Sequence, residues 1–396
     1  MTSFDTLWAE LAPVGRDAGT GGYRRFAWTP ADLTLREWFV GAAQQRGLDV
    51  ETDRNGNLWA WWGPVGPDAT VFGSHLDSVP DGGAYDGPLG VVSGLAALDA
   101  LLAEGVRPAR PVAFAVFTDE EGARFGLPCL GSRLTTGAST PDDVLGRRDR
   151  DGLTLADALT AAGRDPRTLG RDDETLGRIG RFVELHVEQG RALEVPVGFA
   201  SAIIPHGRWR LEFDGRADHA GTTRLEDRRD PMLPYALTVL AAREAASRHG
   251  AVATIGRIES LPGATNAVPS AVRAWLDTRA VADDAVDAVL ADVTRAAQEA
   301  GSLHGVTVSL TQESRSPAVE FPVDVLDWLR SHLGDLPVVP TGAGHDAGVL
   351  AGVVPSGMVF VRNPTGVSHS PEEFAERDDC LAGVEALTTL LRAAAT

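Results

Sequence analysis

Three apolar runs, each ending in a polar, glycine-bearing turn, constrain this chain most: TVFGSHLDS from Thr70, PVAFAVFTDEEG from Pro111 and GRFVELHVEQG from Gly180. Short continuous apolar runs of this kind mark strands buried on both faces, which belong to sheets covered by helices. In such sheets the chemistry gathers beyond the carboxyl ends of the strands. Here those ends carry His75 and Asp77, Glu120 and Glu121, and His186; Asp86 follows in DSVPDGGAYDGPLG, and His369 lies in GVSHSPEEF.

Imidazoles and carboxylates without a thiolate suit zinc, manganese, cobalt or nickel. With Asp86 shared, His75 and His186 on one ion and Glu121 and His369 on the other, two divalent cations would sit roughly 3.5–4 Å apart. Glu120 then remains free to move a proton. Two cations polarising one water bring its pKa from 15.7 toward about 7, so hydroxide forms near neutrality. Taken singly, His75 or His369 reads as a core or loop histidine, and Glu120-Glu121 as a solvated helix start. The shared placement at strand ends is what favours the joint reading.

All 36 basic residues are arginine; the chain has no lysine. That removes Schiff bases, a pyridoxal aldimine, a Walker-type phosphate lysine and a carbamylated lysine bridging two metals. A bridge between cations must therefore be a carboxylate, and Asp86 is the candidate. The net charge of -19 opposes phosphate backbones and anionic membranes, so neither nucleic acid nor membrane is an expected partner. The chain has no apolar run of membrane-spanning length, and its start lacks a basic region followed by an apolar core. A cytoplasmic protein is the expectation. Cys129 and Cys380 are too few for a disulfide framework and read as buried thiols.

Periodicity predicts helices over 4–11 and 33–46, strands over 57–62 and 70–73, a helix over 88–104 and a doubly buried strand over 112–117. Trp59, Trp61 and Trp62 read as an alternating strand that packs aromatics into the core, rather than as a stacking platform. Residues 140–180 read as a polar, helical surface excursion. After Pro205 the pattern changes to a strand through GRWRLEFDGRADHAG, a helix over 231–248, strands over 251–258 and 271–278, a helix over 283–300 and a strand over 306–311. This β-α-β-β-α-β order is a split βαβ unit. The expected organisation is an α/β catalytic domain of 1–206 and 317–396, interrupted by a small lid domain of 207–316.

Seven motifs occur in one order along nearly the whole length: GSHLDSVPDGGAYDGPLGV, DEEGARF, ELHVEQG, DHAGTT, TNAVPSAV with LDTR, GAGHDAG and SHSPEEF. With them the chain resembles the amidase/hydantoinase/carbamoylase branch of the M20 metallohydrolases, which includes N-carbamoyl-L-amino acid hydrolases, β-ureidopropionases and allantoate amidohydrolases. The resemblance implies an M20-type catalytic domain with a mixed sheet flanked by helices, and an inserted ferredoxin-like domain that serves as lid and dimer contact. It also implies two divalent metal ions per subunit (manganese, zinc, cobalt or nickel), a homodimer, and a small-molecule ureide substrate whose terminal carbamoyl amide is hydrolysed with release of ammonia. Allantoate and N-carbamoyl-L-amino acids are the expected substrates. By resemblance His75, Asp86, Glu121, His186 and His369 match the metal ligands, Glu120 the general base, and Asp77 the carboxylate that orients His75. Histidine at 186 is the feature of ureido-cleaving members, where peptidases and deacylases often use a carboxylate.

The same resemblance gives His219 the oxyanion, generally across the dimer interface, and Asn266 with Arg279 the substrate carboxylate, which a guanidinium clamps through two hydrogen bonds. Gln189 matches the position that contacts the ureido group, and Gly344 lets backbone approach the ligand. One departure stands out: Arg224-Leu225 follows DHAGTT where the carbamoylases compared have Pro-Met, which bears on specificity. A dipeptidase or N-acyl-amino acid deacylase on the same scaffold is the competing enzyme, and a non-catalytic metal-binding scaffold the competing class.

Overall fold

The computed structural model describes residues 3–396. Two units emerge, one of Met1–Ala202 with Glu320–Thr396 and one of Ile203–Val319. In chain order the strands are β1 (Asp49–Thr52), β2 (Leu58–Trp62), β3 (Ala69–His75), β4 (Val112–Phe117), β5 (Ile179–Val187) and β6 (Val197–Ile203). Then come β7 (His206–Asp214), β8 (Asp218–His219), β9 (Val252–Leu261), β10 (Ala267–Val268), β11 (Ala271–Arg279) and β12 (Thr307–Ser316). The chain ends through β13 (Val319–Glu320), β14 (Val338–Thr341) and β15 (Ser356–Val361).

In the first unit the sheet runs β1-β2-β4-β3-β5-β15-β6, with β14 also paired to β6. Its centre, β4-β3-β5-β15, is parallel. Antiparallel β2 and β6 flank that centre, which makes the sheet mixed. The helix Pro88–Ala103 carries the chain from β3 to β4, and helices Ser3–Leu11 and Arg377–Ala395 pack against it. That cover explains why it is apolar nearly all round instead of along one stripe. From β3 the chain moves to β4 on one side, then returns to β5 on the other. The carboxyl ends of β3 and β5 therefore lie at a switch in strand order, where open α/β sheets form their crevice.

Two local expectations need correction. β2 does not alternate: Trp59, Trp61 and Trp62 are all buried, because the strand is interior between β1 and β4 and covered on both faces. Trp59 packs edge-on against Phe117 and donates its indole N–H to Asp53 at 3.1 Å. Residues 140–180 are more than a polar excursion, since Val144, Leu155, Ala158, Leu159 and Leu169 close a separate apolar cluster with Trp28, Phe125, Leu130 and Leu134. Leu155, Ala158 and Leu159 make only one short stripe on a seven-residue helix, and Val144 and Leu169 lie apart from it among polar residues, too little for the sequence to announce a core.

The second unit is an antiparallel sheet, β12-β7-β11-β9, with a short β8-β10 ribbon. Alternate residues of β7 and β11 (Trp209, Leu211, Phe213, Val272, Ala274, Leu276) join Val286, Val289 and Val293 of the helix Asp283–His304 in one core. The helix Met232–Arg248 packs beside it. On that second helix Leu233, Leu237 and Leu240 remain exposed at i, i+4 and i+7, forming one stripe. No helix among the described residues is long and apolar enough to cross a membrane.

Candidate metal centre

The turn after β3, the turn after β4, the end of β5 and the segment beyond β15 bring their polar residues to one place. Asp86 is the hub. Its Oδ1 lies 3.4 Å from His75 Nε2 and 3.1 Å from His186 Nε2, while Oδ2 lies 3.5 Å from His369 Nε2. His369 Nε2 is in turn 3.5 Å from Glu121 Oε2. Two donor groups, His75–Asp86–His186 and Asp86–Glu121–His369, are joined through the two oxygens of this one carboxylate, and a third, Glu184–His186–His345, does not include it.

The tautomers of the two buried histidines follow from their other ring nitrogens. His186 Nδ1 is 2.8 Å from the Val187 carbonyl, and His75 Nδ1 is 3.2 Å from the Asp77 carbonyl. A carbonyl accepts only from N–H, so each Nδ1 carries a proton, and in the neutral ring it is Nε2 that offers its lone pair on the Asp86 side. Glycine at 87, with φ +85, is required here: a Cβ would fall 2.5 Å from atoms of the His75 ring.

The Asp77 carboxylate does more than face His75, from which its Oδ1 lies 3.5 Å away. Its two oxygens accept the consecutive backbone N–H groups of Glu120 at 3.1 Å and Glu121 at 3.0 Å. The end of β3 thereby fixes the turn after β4, in which Asp119 adopts a left-handed φ of 52°.

Buried carboxylates crowd this centre, and their proton affinities follow. Burial pushes Asp86 up, but His186, His369 and His75 outweigh it and hold the carboxyl well below the usual range. Burial pushes Glu121 up to about 8, with the Asp86 charge adding to it. Glu120 is held well above its ordinary value by burial, which His75 only partly offsets. The hydrogen bond to Asp86 lifts His369 to about 9. Among the described residues His75 Nε2, His186 Nε2 and Glu121 Oε1 are buried without a hydrogen-bond partner. Stranded lone pairs on two imidazoles and a carboxylate, converging on a shared anion, fit divalent cations.

Glu120 belongs to none of these donor groups. Its Oε2 lies 3.8 Å from His75 Nε2, and its Oε1 accepts from the buried Cys129 thiol at 3.4 Å. The Gln189 amide donates to Asp86 Oδ2 at 2.6 Å and lies 3.1 Å from both Ser368 Oγ and His369 Nε2. Around Gly344 there is open space, since a Cβ there meets nothing within 4 Å.

His219, Asn266 and Arg279 belong to the second unit. His219 of β8 pairs with Ala267 of β10, and the Ala220 N–H donates to the Asn266 carbonyl at 3.0 Å, so His219 and Asn266 are neighbours. His219 Nδ1 accepts two backbone N–H groups, from Gly221 at 3.0 Å and Thr222 at 3.2 Å. Its proton is therefore on Nε2. Arg279 lies against Asp277 through two contacts, at 2.9 and 3.2 Å. Arg224, the departure after DHAGTT, pairs with Asp227 at 2.8 Å and Glu226 at 3.3 Å, so its charge is compensated within its own turn. Arg228 donates to the carbonyls of Ala220 and Thr223 and braces the His219 turn.

Sequence reasoning passed over Gly87, Glu184 and Glu373. Glu184, fully buried on β5, accepts from Ser74 Oγ at 3.2 Å and the Ala347 N–H at 3.0 Å. A carboxylate at an inward position of an apolar strand was the signal available for it.

Residues 71–393 match peptidase family M20/M25/M40. The chain belongs to that family. It is 36% identical, over 98% of its length and 97% of the other's, to an N-carbamoyl-L-amino acid amidohydrolase of Geobacillus stearothermophilus. A probable allantoate deiminase of Oryza sativa subsp. japonica is 31% identical over 96% of this chain and 86% of that one. Among solved structures, an amidase of the hydantoinase/carbamoylase family from Burkholderia vietnamiensis superposes with a TM-score of 0.86 at 29% identity, covering 99% of this chain and 96% of that one. This member of the family is a hydrolase of amide C–N bonds, built on the mixed sheet and helices described above.

Proposed function

We propose that the protein hydrolyses the terminal carbamoyl amide of a small carboxylated ureide, allantoate or an N-carbamoyl-L-amino acid, and releases ammonia. One observation carries the reading: the two oxygens of Asp86 are divided between two donor groups, and a buried carboxyl, Glu120, stands beside them outside both. The similarity to carbamoyl-amino acid and allantoate enzymes supports the substrate class. His75, Asp86 and His186 would hold one cation, and Asp86, Glu121 and His369 the other. When bound, two such cations lower the pKa of a water within their reach toward about 7 and polarise a carbonyl.

The remaining chemistry belongs to the chain. Glu120 takes the proton of the attacking water and passes it to the leaving nitrogen, from a position beside both donor groups and outside them. His219, with its proton on Nε2, donates to the oxyanion. Asn266 and Arg279 receive the substrate carboxylate, with Asp277 holding the guanidinium plane. Gln189, whose amide donates to Asp86 Oδ2 in this structure, would present that amide to the ureido group. The motifs DHAGTT, TNAVPSAV and LDTR and the His219 tautomer support these roles. The proposed partner in assembly is a second copy, docked on the exposed stripe of Leu233, Leu237 and Leu240.

The test is ammonia release by manganese-loaded protein, with allantoate and a panel of N-carbamoyl-L-amino acids side by side. Glu120→Gln is expected to keep manganese bound and to lose about 10²- to 10⁴-fold in kcat. Parent-like activity in that variant removes Glu120 from the scheme. Turnover of dipeptides with none of ureides refutes the substrate class.

A further inference from the structure

Glu373, four residues beyond His369, is 5% exposed. Its Oε1 accepts the backbone N–H of Tyr85 at 2.9 Å and of Asp86 at 3.0 Å, 288 and 287 residues away along the chain. Room for it depends on glycine at 83, where a Cβ would collide with the Cβ and carboxyl of Glu373. The rings of Tyr85 and Phe374 meet edge to face at 6.4 Å and dock the same two segments. Asp86 is the residue common to the two groups proposed to hold the cations, and its carboxylate reaches them with different oxygens. That division holds only if the Asp86 backbone cannot rotate. A carboxylate that accepts two consecutive N–H groups fixes the intervening peptide; Glu373 does so with one oxygen, and Asp77 does so for Glu120 and Glu121 with two.

We propose that Glu373 is a positioning residue that aims Asp86 at both cation sites, tying the segment after β3 to the segment of His369. The proposal rests on the two-cation reading above. It adds that the donor set closes only when the Ser370–Phe374 segment is docked, so the far end of the chain controls metal retention. The positions of the segments fit this: Glu373 reaches Asp86 from the loop that also supplies His369, and both groups proposed to hold the cations include Asp86.

The experiment is titration of chelator-stripped, full-length protein with manganese alone, with bound metal counted after equilibrium dialysis. The parent is expected to bind two ions per chain. Glu373→Ala should bind them about 10- to 100-fold more weakly, the usual consequence of removing a group that orients a ligand. Glu373→Gln keeps the accepting oxygen and should lose clearly less affinity than Glu373→Ala, about threefold or less, because a neutral acceptor is weaker but present. Gly83→Ala should reproduce the alanine loss, and combining it with Glu373→Ala should add nothing, as expected for residues acting through one contact. The unfolding midpoint of each stripped variant checks that the fold is kept; if Glu373→Ala does not fold, Glu373→Gln and Gly83→Ala carry the test. Parent-like affinity in Glu373→Ala or Gly83→Ala overturns the proposal, as do equal losses in the Gln and Ala variants. A parent that binds no manganese overturns the two-cation reading and this proposal with it.

Discussion

Asp77→Ala removes the acceptor of two consecutive backbone donors, the N–H groups of Glu120 at 3.1 Å and Glu121 at 3.0 Å, at a site 2% exposed. A hydrogen bond to a charged group is worth about 1.5–3 kcal/mol, so losing both costs about 3–6 kcal/mol. Water that enters the space left by the carboxyl recovers part of this. Asp77→Asn keeps one accepting oxygen and turns an NH2 group toward the other N–H, donor against donor. It should fall between parent and Ala, at about 1.5–3 kcal/mol for the one charged bond lost. The assay is urea denaturation of metal-free protein followed by tryptophan fluorescence, since Trp59, Trp61 and Trp62 report on the same sheet. The variants should also lose about 10- to 100-fold in kcat, because Glu120 is no longer held. An Ala variant with the parent's midpoint and kcat refutes the idea that Asp77 organises the turn after β4.

Two further outcomes follow from groups away from the ligands. Burial lifts Asp32 from 3.8 to about 6, with Arg36 only partly offsetting it, so the folded chain binds the extra proton over that interval. Stability should therefore fall as pH rises from about 4 through about 6, and Asp32→Asn should flatten that slope in urea denaturation series; an unchanged slope refutes it. Leu237→Glu and Leu240→Glu place charge on the exposed stripe of the helix Met232–Arg248. If a second copy docks there, light scattering should show the dimer dissociating to monomers; an unaltered dimer moves the interface elsewhere.

The strand ends were legible because β3, β4 and β5 are short apolar runs that stop at glycine-bearing turns, and a residue's donor type is written in its name. His75, Asp86, Glu121 and His186 could be proposed on those grounds and His369 from its donor type and the SHSPEEF motif, while hydrophobic periodicity gave the β-α-β-β-α-β order of the second unit. β2 was misread as alternating because burial on its second face comes from distant elements, not from its own period. Glu184 was passed over for the same reason, as nothing local says what an inward carboxylate will meet.

What the sequence determined by itself is the set of elements and the chemistry available at their ends, since periodicity and residue type are local properties. The lysine-free composition belongs here too, because it excludes chemistries wherever the residues lie. Tertiary structure alone decided which oxygen of Asp86 faces which imidazole, that Asp77 holds the peptides of Glu120 and Glu121, and that Glu373 holds the peptide of Asp86. Each of these is a directional contact of about 3 Å between segments far apart in the chain, and hydrogen-bond strength falls steeply with angle and distance. No pattern along the sequence encodes such a contact until the sheet has set the order of its strands.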